Sequence, residues 1–253
     1  MNALVIAKRE LRLLFFSPLA WLMLGVVEAL LAGLFLSHLN LFLQHQAELA
    51  ALEESPGATE IIAGQVFRDA AMVLMLVVPL FTAHSVSSEL RAETLPPLPA
   101  PLESPVESPG ALVLGKFLGL ALFATLLILP ILLMPLSLQM GGVIDLGLLA
   151  AGGVGLFLLT FSFIALGVFA SALTRIPALA ALASFSVLLF LSASDWVLPD
   201  QVGGMIMYLS PVSHYDALIR GVFTLADVAY YVLFTITFLV LAMWRLDVYR
   251  LRC

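Results

Sequence analysis

Residues 112–138 read LVLGKFLGLALFATLLILPILLMPLSL, an apolar run with a single charged residue, Lys116, near its start. A helix that crosses a bilayer needs about 20 mainly apolar residues. The whole chain has the same character, because 62% of its 253 residues are hydrophobic and 11% are charged, with a mean hydropathy of +1.11. A soluble domain has about 25% charged residues. The run therefore predicts a transmembrane helix, and the composition predicts an all-α polytopic membrane protein.

Five further apolar runs of comparable length lie on either side of this one. The six predicted spans cover residues 18–42, 67–87, 112–138, 147–171, 178–197 and 228–245. Pro79, Pro130 and Pro135 fall inside spans, where neighbouring helices can satisfy the backbone carbonyls that proline leaves free. Small residues recur within the spans, as in Gly115 with Gly119, and these allow membrane helices to approach closely. We expect a single transmembrane domain over residues 1–253.

The distribution of Lys and Arg predicts how the chain is oriented in the membrane. Cytoplasmic loops carry an excess of these residues. With a cytoplasmic N-terminus, only Arg68 and Arg220 fall on the outer side. The cytoplasmic side then holds Lys8, Arg9, Arg12, Arg91, Lys116, Arg175, Arg245, Arg250 and Arg252. An even number of spans returns the C-terminus to the cytoplasm, and residues 88–111 become the long cytoplasmic connection.

The N-terminal segment 1–17 combines an apolar pattern at helical spacing with three cations. This combination favours an amphipathic helix that lies in the cytoplasmic interface. The alternative is a cationic flank that only orients the first span. The cations are Lys8, Arg9 and Arg12.

Two short motifs suggest catalytic or nucleotide chemistry, and we interpret neither that way. GALVLGKF at 110–117 has the spacing of a phosphate-binding loop, but Phe117 replaces the required Ser or Thr and a membrane span follows. We expect Lys116 to extend towards the cytoplasmic interface instead. SPVSHYD at 210–216 places Ser213, His214 and Asp216 together, whereas a hydrolase triad joins residues that are distant in sequence. We therefore predict no catalytic residue.

Other features limit the partners and cofactors of the chain. The formal net charge of −6 gives no indication of a nucleic-acid partner. The only cysteine is Cys253, so no intramolecular disulfide or cysteine-based metal cluster can form, and no metal site is predicted. Glu28 lies inside the first span, where an acid is costly and commonly faces a partner or a wet cavity. It could line a substrate path or serve as a neutral packing residue.

Several segments together resemble the six-span permease subunits of type-2 ABC transporters, of the gliding-motility (GldF-like) type. They cover nearly the whole chain in order. The segments are KRELRLLFFSP at 8–18, ELRAETL at 89–95, LVLGKFLGLALF at 112–123, FASALTRIPALAALASF at 169–185 and LSPVSHYDALIRGVFTLADVAYY at 209–231.

The resemblance implies a non-catalytic membrane subunit, multi-pass in a bacterial inner membrane, that an ATPase on a separate chain drives, most simply for export. The chain itself would hold no cofactor, since ATP and magnesium bind the ATPase. A second permease chain would complete a homodimer or heterodimer. The implied coupling residues in the loop 88–111 are Glu89, Arg91, Thr94 and Leu95. A short outer helical element at about 203–223 would contain Ser210, Pro211, His214, Tyr215, Arg220 and Gly221.

The sequence departs from the family pattern in the coupling loop. Glu93 stands where glycine is usual, and PPLPAPLESP at 96–105 replaces a leucine-rich helix. Prolines at this density favour an extended polyproline-like segment. The ATPase contact could thus be altered, rest on residues 87–95, or be lost. In the last case the chain would be a non-transporting scaffold that recruits a soluble partner through this loop.

Overall fold

The computed structural model of the protein describes residues 2–49, 57, 59–92, 108–140, 144–197 and 209–252. Within these ranges the chain forms eight α-helices and no strand. The helices are α1 (Ala3–Phe15), α2 (Pro18–Leu49), α3 (Gly64–Ala92), α4 (Pro109–Leu136), α5 (Leu146–Leu173), α6 (Pro177–Val197), α7 (Pro211–Ile219) and α8 (Leu225–Arg252). A π-helical turn, Thr59–Ala63, precedes α3, and a 3₁₀ turn, Ser137–Met140, follows α4.

Five helices are long and apolar enough to cross a membrane: α2, α3, α4, α5 and α8. They overlap the first, second, third, fourth and sixth predicted spans. This confirms the coarser prediction of an all-α, multi-pass membrane protein. Helix α6 overlaps the fifth predicted span, but its described apolar part, Pro177–Ala193, is shorter than the other five.

Several helices begin where a polar side chain can bond the free amides of the first turn. Ser-Pro pairs open α2, α4 and α7 at residues 17–18, 108–109 and 210–211. In each, the serine hydroxyl accepts a hydrogen bond from the amide three residues later, at 3.2 to 3.4 Å, and proline follows as the first helical residue. Asp145 caps α5 in the same manner. Because Ser108 caps it, α4 begins at residue 109, three residues before the predicted span.

Helix α5 is the centre of the bundle, with α3, α4, α6, α7 and α8 packed around it. In its most apolar segment 72% of the residues are buried, against 22% for both α2 and α8. Helices α2 and α8 therefore lie at the periphery and leave broad apolar faces exposed.

The C-terminal half of α3 is held to α5 by Ser171, a residue of α5 whose hydroxyl bonds backbone groups of α3. The hydroxyl of Ser171 accepts hydrogen bonds from the amides of Val86 and Ser87, both at 2.9 Å, and donates to the carbonyl of Ala83 at 3.0 Å. A side chain inserted in this way bends a helix locally. It fixes α3 one turn before Glu89, the first predicted coupling residue.

Helix α1 packs closely along the first half of α4 because two glycines there have no side chain. A Cβ atom built on Gly115 would lie 2.5 Å from the Cβ of Ile6, and one on Gly119 would lie 2.8 Å from the Cβ of Glu10. Such distances are shorter than van der Waals contact. The two glycines are four residues apart and so face α1 together.

The bundle has two chemically different ends. We call the basic end the one that holds α1, the end of α3, the start of α4, the α5–α6 turn and the end of α8. The distal end holds α7 and the starts of α3, α5 and α8. At the distal end Tyr215, which is 1% exposed, donates a hydrogen bond to the carbonyl of Gly152 at 3.2 Å. Burial, with a smaller contribution from the charge of Asp216, raises the pKa of Tyr215 well above its usual value, so the phenol stays a neutral donor.

Candidate functional site

Four charged residues from three helices meet at the basic end, and we call them the junction cluster: Arg9 and Glu10 of α1, Glu89 of α3 and Lys116 of α4. Lys116 Nζ lies 2.9 Å from Glu89 Oε1 and 3.3 Å from Glu10 Oε2. Arg9 Nη2 donates to the same Glu89 oxygen at 2.8 Å. The cluster therefore joins the N-terminal helix to the second and third predicted spans.

The members of the junction cluster differ in exposure. The Lys116 side chain is 2% exposed, that of Glu10 is 11%, that of Glu89 is 18% and that of Arg9 is 48%. The pairs made by Lys116 are screened little by solvent, whereas the Arg9 pair lies at the surface. The cluster therefore has a buried centre at Lys116 and an exposed edge at Arg9.

The expectation that Lys116 extends to the interface is wrong. Its side chain is buried, because α1 covers it and supplies Glu10 while α3 supplies Glu89. A buried ammonium is tolerated when carboxylates neutralise and bond it. The reason that α1 can reach Lys116 is the close packing on Gly115 and Gly119 described above.

A cavity of about 300 Å³ opens beside the junction cluster between α1, α3 and α4. Its polar wall carries His84, Ser85 and Ser88 together with Glu10, Glu89 and Lys116, and its apolar wall carries Leu13, Leu14 and Phe81. The hydroxyl of Ser85 is buried and has no hydrogen-bond partner among the described residues. The cavity thus offers polar groups of both charge signs at one end of the bundle.

Helix α1 presents three different faces. Ile6, Ala7 and Glu10 are buried against α4. Lys8, Arg9 and Arg12, the predicted interfacial cations, line an exposed face. Leu4 and Leu13 are 74% and 60% exposed. A helix with one packed face, one cationic face and exposed leucines has the pattern of a helix lying at a membrane surface.

The predicted coupling residues separate into two groups. Glu89 lies in the junction cluster, and Arg91 is exposed in the last turn of α3. Thr94 and Leu95, and with them the proline-rich segment 96–105, lie outside the described residues. The structure therefore places Glu89 beside Arg9 of α1, while Arg91 follows two residues later at the exposed end of α3.

The predicted outer element, 203–223, includes α7, while residues 203–208 lie outside the described part. Ser210 and Pro211 begin α7, and Gly221, with φ of 78°, ends it in the left-handed region that favours glycine. His214 stacks on Tyr230 with ring centroids 4.1 Å apart and lies 2.7 Å from Asp227. These contacts give Ser210, Pro211, His214 and Gly221 structural roles in α7 and at its two ends. Arg220 is exposed.

The residues of SPVSHYD do not assemble into a triad. The carboxylate that orients His214 belongs to Asp227 of α8, whereas Asp216 pairs with Arg68 of α3 at 3.1 Å. Asp227 also accepts a hydrogen bond from the Thr224 hydroxyl. The two acids of this region therefore hold different helices together.

Glu28 lies in α2, inside the first membrane-spanning segment. Both of its carboxylate oxygens are shielded from solvent and have no hydrogen-bond partner among the described residues. Its assignment as a path-lining residue stays a prediction.

Sequence reasoning missed Glu10 and Lys116 as members of the site. A signal for Lys116 exists, because it lies between two glycines four residues apart in an otherwise apolar run. That spacing marks a face on which another helix can pack closely. No comparable signal identifies Glu10, since its contact with Lys116 joins residues 106 positions apart.

Comparison with protein-family models and with curated proteins finds no match to this chain.

Proposed function

We propose that this chain is the membrane-spanning permease subunit of an ATP-driven ABC transporter, coupled at its basic end to a separate cytoplasmic ATPase. The observation that carries the proposal is the junction cluster. It joins Glu89, at the entrance to the predicted coupling loop, to the interfacial helix and to the third span. A force applied by a partner at the loop would reach α1, α3 and α4 together.

The finer topology belongs to the same proposal. Six spans, with α6 as the fifth, place both termini and residues 88–111 in the cytoplasm, in agreement with the bias of Lys and Arg. The membrane is a bacterial inner membrane. The chain itself is not an enzyme, and ATP and magnesium bind the partner chain.

A second permease chain is part of the proposal, and α2 offers a face for it. Gly25, Ala29, Gly33 and Ser37 recur every fourth residue on this helix and are all exposed. A Cβ atom on Gly25 or Gly33 would meet nothing within 4 Å. Small residues at this spacing allow two membrane helices to pack closely. This supports a dimer whose contact includes α2.

The test is affinity purification of the tagged chain from native membranes in mild detergent, with mass spectrometry and an ATPase assay on the eluate. We expect a stoichiometric ATP-binding subunit. Arg91→Glu should lower its recovery, because reversing a charge at a contact sets like charges against each other and weakens association. Glu60→Lys, at the opposite end of the same helical run, is the matched control and should have no effect.

A second variant tests the proline-rich loop directly. Residues 96–107 are replaced by a Gly-Ser sequence of equal length, which keeps the cap made by Ser108 and Pro109. Loss of ATP hydrolysis with the complex intact would show that this segment transmits the coupling. Recovery of a folded chain with no ATP-binding subunit, under conditions that preserve other membrane complexes, would refute the permease and favour the scaffold.

A further inference from the structure

A groove of about 540 Å³ opens at the distal end between α3, α6 and α7. Its volume lies within the range of small-molecule sites. It is remote from the junction cluster, since it lies near the start of α3 and Glu89 lies near the end. Its walls are mainly apolar and carry a few polar groups. The lining residues used below are Arg68, Met72, Met75, Leu189, Ser192 and Asp216.

An ion pair marks one end of this distal groove. Arg68 Nε donates to Asp216 Oδ1 at 3.1 Å, and the two side chains are 39% and 44% exposed. Among the described residues this is the one contact between the two groups. Within the described part of the chain, the terminal guanidinium nitrogens of Arg68 and the second oxygen of Asp216 make no further hydrogen bond, so a ligand can bind them. A ligand would meet a cation and an anion side by side.

The apolar wall continues from this pair along α3. Met72 and Met75 follow Arg68 by four and seven residues, which places them about 6 and 10 Å further along the helix axis. Leu189 of α6 faces the same space and is 45% exposed, and Met72 is 57% exposed. Because the second predicted span begins at residue 67, we place the charged pair near the interface and the methionines at the depth of the acyl chains. Methionine side chains adapt well to flexible apolar partners.

The floor of the distal groove is well fixed. Tyr215 lines it, is 1% exposed and is anchored to the backbone of α5 through the carbonyl of Gly152. The Ser192 hydroxyl lies 3.6 Å from the sulfur of Met75 and bridges α6 to α3. The groove is therefore largely preformed, as ligand sites usually are.

We propose that the distal groove binds one zwitterionic phospholipid, of the class whose headgroup carries a phosphate and an ammonium group. Arg68 takes the phosphate, because guanidinium matches its oxygens with paired donors. Asp216 takes the ammonium. An acyl chain lies along Met72, Met75 and Leu189.

The paired charges select this class over other amphiphiles. An anionic lipid without an amine, such as phosphatidylglycerol, would place a net negative headgroup beside Asp216 with no ammonium to neutralise it, and a cationic lipid would meet Arg68. A soluble phosphate ester lacks the chain that fills the apolar wall. The proposal that the distal groove binds a lipid depends only on these contacts. The further idea that the bound lipid is a transported substrate rests on the proposed function.

The test is native mass spectrometry of the delipidated chain in detergent, mixed with equal amounts of phosphatidylethanolamine and phosphatidylglycerol. We expect one phosphatidylethanolamine per chain, bound about tenfold or more in preference to phosphatidylglycerol, because a hydrogen bond to a charged group contributes about 1.5–3 kcal/mol. Asp216→Asn removes the ammonium partner and should shift the preference towards phosphatidylglycerol. Arg68→Gln should weaken both lipids.

A matched pair of variants tests the position of the acyl chain. Leu189→Trp fills the groove and should reduce binding at least tenfold. Leu182→Trp, two turns earlier on the same helix and 61% exposed to the surroundings, should leave binding unchanged. A photoactivatable phosphatidylethanolamine should label the peptide that contains residues 68–75 in the wild type and in Leu182→Trp.

Equal retention of both lipids, or retention that Leu189→Trp does not reduce, would overturn the proposal. Full displacement by water-soluble glycerophosphoethanolamine would also contradict it, because the apolar wall would then be irrelevant. A groove occupied by a second copy of the chain would give dimers without bound lipid, and this too would refute it. The assay contains no ATPase and no nucleotide, so its failure leaves the permease proposal standing, and the absence of an ATPase partner leaves the lipid site standing.

Discussion

Lys116→Met removes the buried centre of the junction cluster and leaves the glycine-mediated packing of α1 on α4 in place. The substitution keeps an unbranched apolar stem of similar length but withdraws the ammonium that lies 2.9 Å from Glu89 and 3.3 Å from Glu10. Breaking a buried ion pair costs about 3–5 kcal/mol. Glu89 keeps Arg9 as a partner, whereas Glu10 keeps none in the cluster. We therefore expect the free energy of unfolding to fall by about 2–4 kcal/mol.

Two control variants separate this effect from a general loss of charge. Lys8→Met removes an exposed cation from the neighbouring helix and should change stability by less than about 0.5 kcal/mol. Arg9→Gln breaks the surface arm of the cluster, where the arginine is 48% exposed, and should cost about 0.2–1 kcal/mol. The ranking Lys116, then Arg9, then Lys8 follows directly from burial.

The assay is equilibrium unfolding in mixed micelles, followed by circular dichroism as a denaturing detergent is titrated. The triple variant Glu10→Gln, Glu89→Gln, Lys116→Met removes Lys116 together with both carboxylates that contact it and should recover most of the loss. The charge left in the cluster is that of Arg9, which is 48% exposed and therefore solvated. A Lys116→Met protein as stable as Lys8→Met would refute the reasoning, as would a triple variant less stable than Lys116→Met alone.

Three further predictions concern other parts of the molecule. Ser171→Ala leaves the amides of residues 86 and 87 without the hydroxyl and should cost about 1–3 kcal/mol. The control is Ser162→Ala on the same helix, whose hydroxyl donates to the local carbonyl of Leu159, and it should cost clearly less in the same titration. Gly115→Ala should lower the free energy of unfolding by about 1–3 kcal/mol, because the new Cβ would collide with α1. Gly110→Ala is the control and should be close to neutral, since its Cβ would lie 3.8 Å from the nearest atom, the sulfur of Met243. Equal effects of the two substitutions would contradict the close packing of α1 on α4. Cys253, the only cysteine, should react with a membrane-impermeant maleimide in inside-out vesicles and not in intact cells with a sealed inner membrane, and labelling from outside would exclude the proposed orientation.

Five of the six predicted spans coincide with helices long and apolar enough to cross a membrane, because the sequence signal for such helices is local and strong. The run at 112–138 needs no partner to be recognised, since the bilayer sets its length. The helix boundaries were less accurate, and α4 begins at 109 because Ser108 and Pro109 form a cap. That signal was present in the sequence, and the same Ser-Pro pair opens α2 and α7. Capping residues thus locate helix starts that hydropathy leaves open.

The junction cluster was only half predictable. Glu89 was identified through the family resemblance, and Arg9 through the amphipathic pattern of the first helix. Their meeting with Lys116 depends on tertiary packing, because the glycines of α4 allow α1 to cover a lysine that sequence reasoning assigned to the interface. A lysine near the end of a span is ambiguous until the neighbouring helix is placed.

The distal groove could not be predicted from the sequence. Arg68 and Asp216 are 148 residues apart, and no periodicity connects them. Arg68 counted only as an outer cation in the charge balance, and Asp216 only as a member of an apparent triad. Pairs of this kind are determined by how helices assemble, which local patterns do not encode.

The measurement that tests the central claim most directly is site-specific photo-cross-linking from position 91 in native membranes. Arg91 is exposed in the last turn of α3, two residues after Glu89 of the junction cluster. A photoreactive residue there should form an adduct with an ATP-binding protein, and the same residue at position 60, at the other end of the helical run, should not. An adduct at position 91 that contains no nucleotide-binding protein, or an ATP-binding protein captured from position 60 instead, would contradict the account.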